Sequence, residues 1–343
     1  MTGREAGAER RRLDRFRTFN DRGGKLRVAV TDACNLDCFF CHNEAMANPR
    51  RLALPLARAG PRLRTDDLIE IMNAFARLRG RQINVTGGEP LAHPEIVRIL
   101  ESIDRRGTLV ILNTNAILAD RLLGRPPIAT VDAIFASLHT TDEAVFERAL
   151  GARPGTARRV MDNLVALARH GYRVQINYSL GDFNKDGFEG VLDFAIRHAI
   201  DLKAIALVRP TEAPGFYGGA WIDPRFVAER LERRGAAAVS HDEGLGGRTA
   251  TYRVGRSTVK VKNIARGRLV TDFCAGCPHE AACGEGIYAV RVGVDGLFKP
   301  CLLRREAFRP VRRDAPYEAQ ILDVVDAMIG DFAGARFATG APA

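Results

Sequence analysis

Three cysteines near the start of the chain have the spacing of an iron–sulfur site. Cys34, Cys38 and Cys41 follow one another in a C-x3-C-x2-C pattern. Three thiolates on one short loop can hold three irons of a 4Fe–4S cluster. The fourth iron then stays open to a small molecule that carries a free amine and carboxylate. Zinc is the alternative metal, but zinc sites favour four ligands and C-x2-C pairs.

The other four cysteines form a second group late in the chain. Cys274, Cys277, Cys283 and Cys301 follow a C-x2-C-x5-C-x17-C pattern. All seven cysteines therefore belong to two groups, which scattered core thiols would not do. A disulfide framework is disfavoured in a long chain without a signal peptide. A four-thiolate zinc ribbon and a second, auxiliary 4Fe–4S cluster remain, and the three-cysteine loop elsewhere in the chain favours the cluster.

The residues around the first group predict how the loop is held. The apolar segment Leu26–Thr31 is typical of a strand, so the cysteines follow the C-terminal end of a first strand. A helix is predicted from Thr65, the expected N-cap, to about Leu78. A second strand, Gln82–Thr86, then ends in the run Gly87, Gly88, Glu89 and Pro90. Glycines let backbone carbonyls approach a ligand closely, and the glutamate supplies charge for an ammonium.

The alternation of strands and helices continues along the chain. Further strands are predicted at Thr108–Thr114, Val131–Leu138, Arg173–Leu180 and Lys203–Val208, with helices at Thr156–His170 and Gly187–His198. Repeated β-α units of this length imply an α/β fold with a parallel sheet and right-handed crossovers. In such folds the chemistry lies at the C-terminal ends of the strands.

The cysteine loop and the Gly-Gly-Glu-Pro run after the second strand resemble the radical S-adenosylmethionine (SAM) superfamily. The resemblance implies a partial (β/α)6 barrel with a small C-terminal iron–sulfur accessory domain. It also implies that the run at residues 87–90 binds the amino group of SAM. The cluster of such enzymes passes an electron to SAM and cleaves it to a 5′-deoxyadenosyl radical, which removes a hydrogen atom from the substrate.

Within that superfamily, the chain from about Leu26 to about Arg304 resembles the GTP 3′,8-cyclases of molybdenum cofactor biosynthesis. The similarity is carried by Leu26–Asn35, Ser137-Leu138, Phe146-Glu147-Arg148 and Gln175-Ile176-Asn177. It implies that Phe40 lies against the adenine of SAM. It implies further SAM contacts from Thr114 or Asn115, Ser137 and Asn177, and substrate contacts from Arg27 and Arg291.

The second cysteine group departs from this family. Cys274, Cys277 and Cys301 match the three ligands of an auxiliary cluster that binds substrate through an open iron. Cys283 is additional. It is either a fourth ligand, which would close the cluster, or a catalytic thiol that donates a hydrogen atom to a substrate radical. The hairpin turn Asp295-Gly296 before the last ligand resembles the family's pattern.

Two further departures bear on the substrate. The family has a basic residue soon after its Gly-Gly-Glu-Pro run, whereas this chain has Leu91-Ala92-His93-Pro94; the family also ends in Gly-Gly, whereas this chain ends at Pro342-Ala343. We therefore expect a small polar substrate, either a sugar, an aminoglycoside or a nucleoside, in a specialised, antibiotic-like pathway, with epimerisation or cyclisation as the outcome. GTP itself is the alternative, and a peptide or RNA is a third option. A basic iron–sulfur or zinc protein that binds nucleic acid is the non-enzymatic rival.

Composition bounds the organisation and the surroundings of the protein. The 343 residues suffice for a basic, solvated lead-in at 1–24, a barrel at 25–222, and an accessory domain at 223–343 with the auxiliary cluster and a C-terminal helix. Gly235–Gly247 is expected to loop out, and Thr249–Val261 to form a hairpin. No apolar run has the length of a membrane span, and no signal peptide is visible, so a cytoplasmic location is expected. The net charge of +10 suits a phosphorylated substrate or an acidic electron donor such as a flavodoxin or ferredoxin, and a nucleic-acid partner is not expected.

Overall fold

Strands make up most of the centre of the molecule. The computed structural model describes residues 3–42, 44, 62–207, 219–263, 268–278, 280, 283, 285–330 and 336–338. Its strands are β1 Lys25–Ala29, β2 Gln82–Thr86, β3 Leu109–Thr114, β4 Ala133–Ser137, β5 Val174–Leu180, β6 Asp201–Ala206, β7 Ala238–Gly244, β8 Gly247–Val254, β9 Ser257–Asn263, β10 Arg268–Val270, β11 Ala289–Gly293, β12 Leu297–Lys299, β13 Arg309–Pro310 and β14 Arg336–Ala338.

Helices connect the strands and cover the sheet. They are α1 Gly3–Asp21, α2 Thr65–Arg77, α3 Ile96–Glu101, α4 Asp120–Leu123, α5 Glu143–Leu150, α6 Thr156–Arg169, α7 Phe188–Arg197, α8 Arg225–Arg233 and α9 Tyr317–Ile329. Helix α2 begins at the predicted place, but its N-cap is Arg64 rather than Thr65, and the backbone N–H of Arg64 donates to the Asp67 carboxylate at 2.8 Å. No described helix combines the length and the apolar character that a membrane span requires.

One long sheet contains twelve of the strands. Its order is β13-β12-β11-β1-β2-β3-β4-β5-β6-β9-β8-β7, and every neighbouring pair from β11 through β1–β6 to β9 is parallel. The α/β class and the parallel sheet are confirmed. The predicted strands and helices are present with small shifts at their ends. Val208, the last residue of the sixth predicted strand, lies outside the described residues.

The later part of the chain extends the same sheet at both edges. Strands β7 and β8 add to β9 at one edge, and β12 and β13 add to β11 at the other, all antiparallel. The expected hairpin at Thr249–Val261 is present as β8 and β9. The expectation that Gly235–Gly247 loops out is wrong, because β7 pairs with β8 along most of that segment. The division of the chain at residues 24 and 222 stays a prediction.

The N-terminal segment is not a solvated lead-in. It forms α1, whose Phe16 and Phe19 are fully buried, and the Phe16 ring lies edge-on to Phe75 with centroids 5.6 Å apart. An ion pair of 2.5 Å between Arg15 and Asp326 joins α1 to α9. The two phenylalanines are three residues apart, so they share one face of the helix, and this spacing was the available signal.

Polar residues face the interior of the curved sheet. Along β1, Lys25 and Arg27 alternate with the buried Leu26 and Val28, which contact the core under the helices. Successive side chains of a strand point to opposite faces. The helices therefore cover an apolar outer face, and the inner face of the sheet is left to polar and charged side chains.

Candidate functional site

A cavity of about 760 Å³ lies inside the curve of the parallel sheet. Residues from the cysteine loop and from the C-terminal ends of β2–β5 line it, as expected for a parallel α/β sheet. The predicted site residues that line this cavity are Arg27, Cys34, Cys38, Phe40, Cys41, Gly87, Gly88, Thr114, Asn115, Ser137 and Asn177. The fold thus brings together residues that are far apart in the chain.

Backbone hydrogen bonds hold the cysteine loop on two sides. The N–H of Asp37 donates to Leu150 O at 2.8 Å, and the N–H of Phe39 donates to Ala149 O at 3.2 Å, so the loop is attached to the end of α5. The Cys34 sulfur accepts from the N–H of Leu36 at 3.4 Å. The three thiols face the large cavity, and Cys41 is exposed. Three soft thiolates beside open space suit an iron–sulfur cluster with one open iron.

The two glycines after β2 lie directly against the cysteine loop. The N–H of Gly88 donates to Thr31 O at 2.8 Å. A Cβ on Gly87 would lie 2.5 Å from Thr31 O, and one on Gly88 would lie 2.3 Å from Ala33 O. Gly87 also has φ +148°, which disfavours other residues. Only glycine therefore lets this segment reach the loop, and its backbone then borders the cavity beside the thiols.

Glu89 serves a different purpose from the one expected. It is fully buried and does not line the cavity, and neither does Pro90. Its Oε1 accepts from the N–H of Leu91 at 2.9 Å and from the Thr114 hydroxyl at 2.6 Å, and its Oε2 accepts from the N–H of Asn115 at 2.6 Å. Burial raises the pKa of Glu89 to about 6, against the effect of these hydrogen bonds. The carboxylate joins the ends of β2 and β3 instead of facing a ligand.

Asn115 connects the same region to the cysteine loop. Its Nδ2 donates to Asn35 Oδ1 at 2.6 Å, and its Oδ1 accepts from the N–H of Ile117 at 3.1 Å. The Glu89 carboxylate and the Asn115 amide therefore tie the cysteine loop, the end of β2 and the end of β3 into one rigid unit. Such a second layer of contacts orients the groups that touch a ligand.

Phe40 belongs to an aromatic wall. Its ring stacks on Phe183 with centroids 5.2 Å apart and an interplanar angle of 21°, and it lies edge-on to His139 at 5.1 Å. Burial lowers the pKa of His139 to about 4, and its Nδ1 accepts from the N–H of Ser179 at 3.0 Å, so the imidazole is neutral at pH 7. An apolar, aromatic wall beside the thiols suits the flat base of a nucleoside.

Three lysines that the sequence analysis did not single out face the same cavity. Lys25, Lys203 and Lys262 line it, and the ammonium groups of Lys25 and Lys262 lie 5.5 and 4.4 Å from the centre of the Tyr288 ring. Among the described residues, no carboxylate pairs with any of the three. Burial lowers the pKa of Lys203 to about 7 and that of Lys262 to about 8, and the positive charges of their neighbours add to the shift at Lys203.

A chain of buried ion pairs runs along the wall of the cavity. Arg27 donates to Glu44 with an Nε–Oε distance of 3.0 Å. Glu44 also lies 3.4 Å from Arg291, which in turn donates to Glu285 at 2.5 Å. Arg27 faces the cavity, as expected of a substrate contact, but Arg291 is 1% exposed and does not line it. The expectation that Arg291 points to the substrate is therefore wrong.

The turn between β7 and β8 closes the far side of the cavity. The N–H of Leu245 donates to Arg22 O at 3.1 Å, just before β1. A Cβ on Gly286 would lie 2.6 Å from Leu245 O, so the turn also lies against the chain before β11. This contact bridges the two halves of the sheet without strand pairing.

The four remaining cysteines line a separate cavity of about 30 Å³. Cys274, Cys277, Cys283 and Cys301 surround it together with Arg268 and Arg304. Burial raises the pKa of Cys283 to about 12. Within the described part of the chain, no group of three or more His, Cys, Asp or Glu side chains is placed to hold a metal ion. The structure brings the four thiols of the second group to one cavity, as their spacing predicts for a shared metal site.

The lysines and the buried carboxylates could have been found only in part. Lys25 and Arg27 sit two residues apart in a predicted strand, so they share a face, and a charged inner face of a covered sheet is a functional signal. Glu44, Glu285 and Tyr288 lie outside the strands and α-helices. No alternation like that of Lys25 and Arg27 could therefore place them at the site from the sequence.

Comparison with known proteins identifies related sequences. A family model described as the radical SAM superfamily matches residues 28–195. The GTP 3′,8-cyclase of Nitrobacter winogradskyi is 27% identical and aligns over 96% of this chain and 92% of its own. The probable GTP 3′,8-cyclase of Aeropyrum pernix is 30% identical over 81% of this chain and 73% of its own.

Solved structures share the fold. Streptococcus suis SuiB bound to the precursor peptide SuiA superimposes with a TM-score of 0.59 at 15% identity, covering 94% of this chain and 70% of that one. The similarity supports the partial-barrel class and extends over nearly the whole chain.

Proposed function

Because the chain belongs to the radical SAM superfamily, we propose that it acts on a phosphorylated nucleotide, with GTP the first candidate. The observation that carries the proposal is the large cavity, which places the Cys34, Cys38 and Cys41 thiols and four cationic side chains around one space. Those side chains are Lys25, Arg27, Lys203 and Lys262. The thiols suit the cofactor, and the cationic side chains suit an anion.

The thiols and their surroundings are the proposed cofactor site. Cys34, Cys38 and Cys41 would hold a 4Fe–4S cluster, and the backbone at Gly87 and Gly88 would border the amino acid part of SAM. When bound, the cluster and SAM together supply a 5′-deoxyadenosyl radical that takes a hydrogen atom from the substrate and becomes 5′-deoxyadenosine. Phe40 would lie against the adenine, and Ser137 and Asn177, which are register partners on β4 and β5, would contact the sugar or carboxylate.

The charges in the cavity select the class of substrate. Burial and mutual repulsion lower the pKa values of Lys25, Lys203 and Lys262, so their charged forms are costly without a bound anion. An anion relieves both costs, whereas a cationic aminoglycoside would add to them. The carboxylates that line the cavity offset these charges only in part, since the charge of Glu285 raises the pKa of Lys262 against the effect of burial. Glu44 and Glu285 pair with arginines, and the acidic residues at the rim, Asp21, Asp242 and Glu243, are exposed.

The related proteins support the same choice. Their names, GTP 3′,8-cyclase and probable GTP 3′,8-cyclase, match the alternative considered in the sequence analysis better than a sugar, an aminoglycoside or an epimerase. The missing basic residue after the Gly-Gly-Glu-Pro run is only weak evidence against a phosphorylated substrate. Lys25, Lys203 and Lys262 provide positive charge from other strands. Cyclisation of a nucleotide is therefore the reaction to test first.

The groups around the cavity suit radical chemistry. Phe40, whose ring stacks on Phe183, and Leu245 in the turn between β7 and β8 give the cavity apolar surface. Arg27 is held by Glu44, and the lysines come from separate strands, so an anionic group would be fixed at several points. A substrate fixed in this way presents one C–H bond to the cofactor and keeps its radical from reacting with solvent.

The reductant would be a small acidic electron-transfer protein. Cys41 is exposed, so the edge of the proposed cluster is near the surface. The net charge of +10 favours encounter with an acidic flavodoxin or ferredoxin. We also propose a second 4Fe–4S cluster at Cys274, Cys277 and Cys301.

The test is 5′-deoxyadenosine formation by the anaerobically reconstituted protein with SAM and dithionite. GTP, ATP, unphosphorylated guanosine and an aminoglycoside are added in separate reactions. Stimulation by GTP with weak or no stimulation by guanosine supports the proposal. Stimulation by the aminoglycoside or by guanosine, but not by any nucleotide, contradicts it, since the lysines would then have no anion to bind.

A further inference from the structure

We propose that the second cysteine group is a closed four-thiolate cluster site, with Cys283 as the fourth ligand, and that the substrate does not touch it. The inference rests on the proposed second cluster and concerns which groups can reach its iron. An auxiliary cluster with three ligands would leave one iron open to the substrate. In this chain a buried ion pair lies between these cysteines and the large cavity proposed for the substrate.

The position of Cys283 is the first argument. It lines the small cavity together with Cys274, Cys277 and Cys301, and it does not line the large one. Its thiol lies 3.4 Å from Glu285 O, next to the wall of the small cavity. A thiol that donates a hydrogen atom to a substrate radical must reach the substrate. Cys283 faces the small cavity and not the one proposed for the substrate, so its position fits a cluster ligand and not a hydrogen donor.

The lining of the small cavity is the second argument. Among the described residues, Glu285 is the one that lines both cavities. None of the cationic side chains that line the large cavity lines the small one. An anionic substrate held by those cations is therefore separated from the four thiols by Glu285.

A buried ion pair separates the two cavities. Glu285 lines both of them, and its carboxylate accepts from Arg291 at 2.5 Å. The two side chains are 2% and 1% exposed. Glu44 lies 3.4 Å from Arg291 on the other side and ties it to Arg27. Moving this pair to admit a substrate would leave two buried charges unpaired, which is strongly unfavourable.

The remaining walls supply hydrogen-bond donors that suit a sulfur-rich anionic group. Arg268 is 4% exposed and lines the small cavity, and its Nε has no hydrogen-bond partner among the described residues. The Cys301 sulfur accepts from the N–H of Leu303 at 3.3 Å. Positive charge and N–H groups directed at sulfur stabilise an iron–sulfur cluster and tune its potential.

The test uses the full chain with the first site removed by Cys34→Ala, Cys38→Ala and Cys41→Ala together. This variant cannot cleave SAM, so the result does not depend on the reaction proposed above. After reconstitution with ⁵⁷Fe we expect about four iron atoms per chain and little zinc. Neither GTP nor ¹³C-labelled cyanide should couple to the reduced cluster in electron–nuclear double resonance spectra, because no iron is open. Ferricyanide should convert little of it to a 3Fe–4S form.

Adding Cys283→Ala to this variant should open one iron. We then expect a ¹³C coupling from cyanide and rapid conversion to a 3Fe–4S cluster on oxidation. Coupling of GTP or cyanide before Cys283 is changed would overturn the inference, as would rapid loss of one iron or a zinc-filled site. The ferricyanide and cyanide measurements on the parent variant keep the inference testable even where Cys283→Ala takes up no iron.

Discussion

The two cysteine groups of this protein differ in the space beside their thiols. The three thiols of the first group face a cavity of about 760 Å³, whereas the four of the second surround one of about 30 Å³. The first lies on a loop held by backbone hydrogen bonds at the ends of parallel strands. The second lies behind the buried pair of Arg291 and Glu285. Open space beside metal-binding thiols allows a small molecule to coordinate, and enclosure prevents it.

In the proposed assignment, access to the thiols rather than the type of ligand separates the site that binds SAM from the closed one. Both groups consist of thiols, and both have N–H groups directed at sulfur, from Leu36 at Cys34 and from Leu303 at Cys301. What differs is the wall. Glycines border the first group, since any Cβ at Gly88 would collide with Ala33 O. Paired charges border the second.

The largest expected effect separates the two groups directly. Cys38→Ala should reduce SAM cleavage to the detection limit, because the first cluster loses a ligand beside the cavity. Cys274→Ala, its matched counterpart in the second group, should retain slow cleavage of SAM in the absence of substrate. The measurement is 5′-deoxyadenosine by chromatography after anaerobic reconstitution. If Cys38→Ala still cleaves SAM, the first group is not the SAM site.

Gly88→Ala should weaken SAM binding by about a hundredfold, which corresponds to roughly 2.7 kcal/mol. The new Cβ would lie 2.3 Å from Ala33 O, so the segment must move away from the cysteine loop. Calorimetric titration with SAM under anaerobic conditions measures the effect.

Gly124→Ala is the control for that substitution, because its Cβ would approach nothing closer than Asp120 O at 3.4 Å. It should bind SAM like the parent protein. Equal affinities for the two variants would show that the close approach of residue 88 to the loop is not needed for SAM.

Lys203→Gln should weaken GTP binding by about tenfold, or roughly 1.4 kcal/mol, through the loss of one charge in the enclosed cavity. Lys262→Gln should act similarly. Lys260→Gln is the matched control on β9, because Lys260 is exposed and does not line the cavity. Equilibrium binding of GTP is the readout, and similar losses for Lys260→Gln and Lys262→Gln would argue against a specific anion site.

The smallest effect is on pH dependence. Burial lowers the pKa of Lys203 to about 7 and that of Lys262 to about 8. Each lysine carries its positive charge below its pKa and loses it above, so GTP affinity should fall as the pH rises through 7 and then 8. Lys203→Arg stays charged throughout and should remove the change near pH 7 while leaving the change near pH 8.

The titration of GTP itself affects the parent protein and Lys203→Arg equally. The difference between their curves of GTP affinity against pH therefore isolates the contribution of Lys203. Identical curves for the parent and Lys203→Arg would show that this lysine does not hold the anion.

Local patterns in the chain were sufficient for the parts of the site that are short-range. The cysteine spacing, the two glycines after β2 and the strand–helix alternation each occupy a few consecutive residues, and the structure brings these residues to one cavity. Prediction failed where distant elements decide. Phe16 and Phe19 are buried only because α1 packs on α9 and α2, and β7 is a strand only because β8 pairs with it.

The role of Glu89 shows the same limit at a single residue. A glutamate beside two glycines suggests a ligand for an ammonium, but its carboxylate is already used by Leu91, Thr114 and Asn115. Two of those partners come from the end of β3, which the local sequence around Glu89 does not contain. Hydrogen bonds from the end of β3 therefore decide what the Glu89 carboxylate contacts, although its place after β2 was predicted correctly.

The sequence alone determined the chemistry available to this protein: thiols at cluster spacing, and a glycine-rich segment at the end of a parallel strand. Only the tertiary structure decided which charged side chains line the large cavity and which cysteines lie outside it. Lys25, Lys203 and Lys262 meet because β1, β6 and β9 curve toward one another and the turn at Leu245 closes the gap. Register and curvature are set by packing over the whole sheet, so no short stretch of sequence contains them.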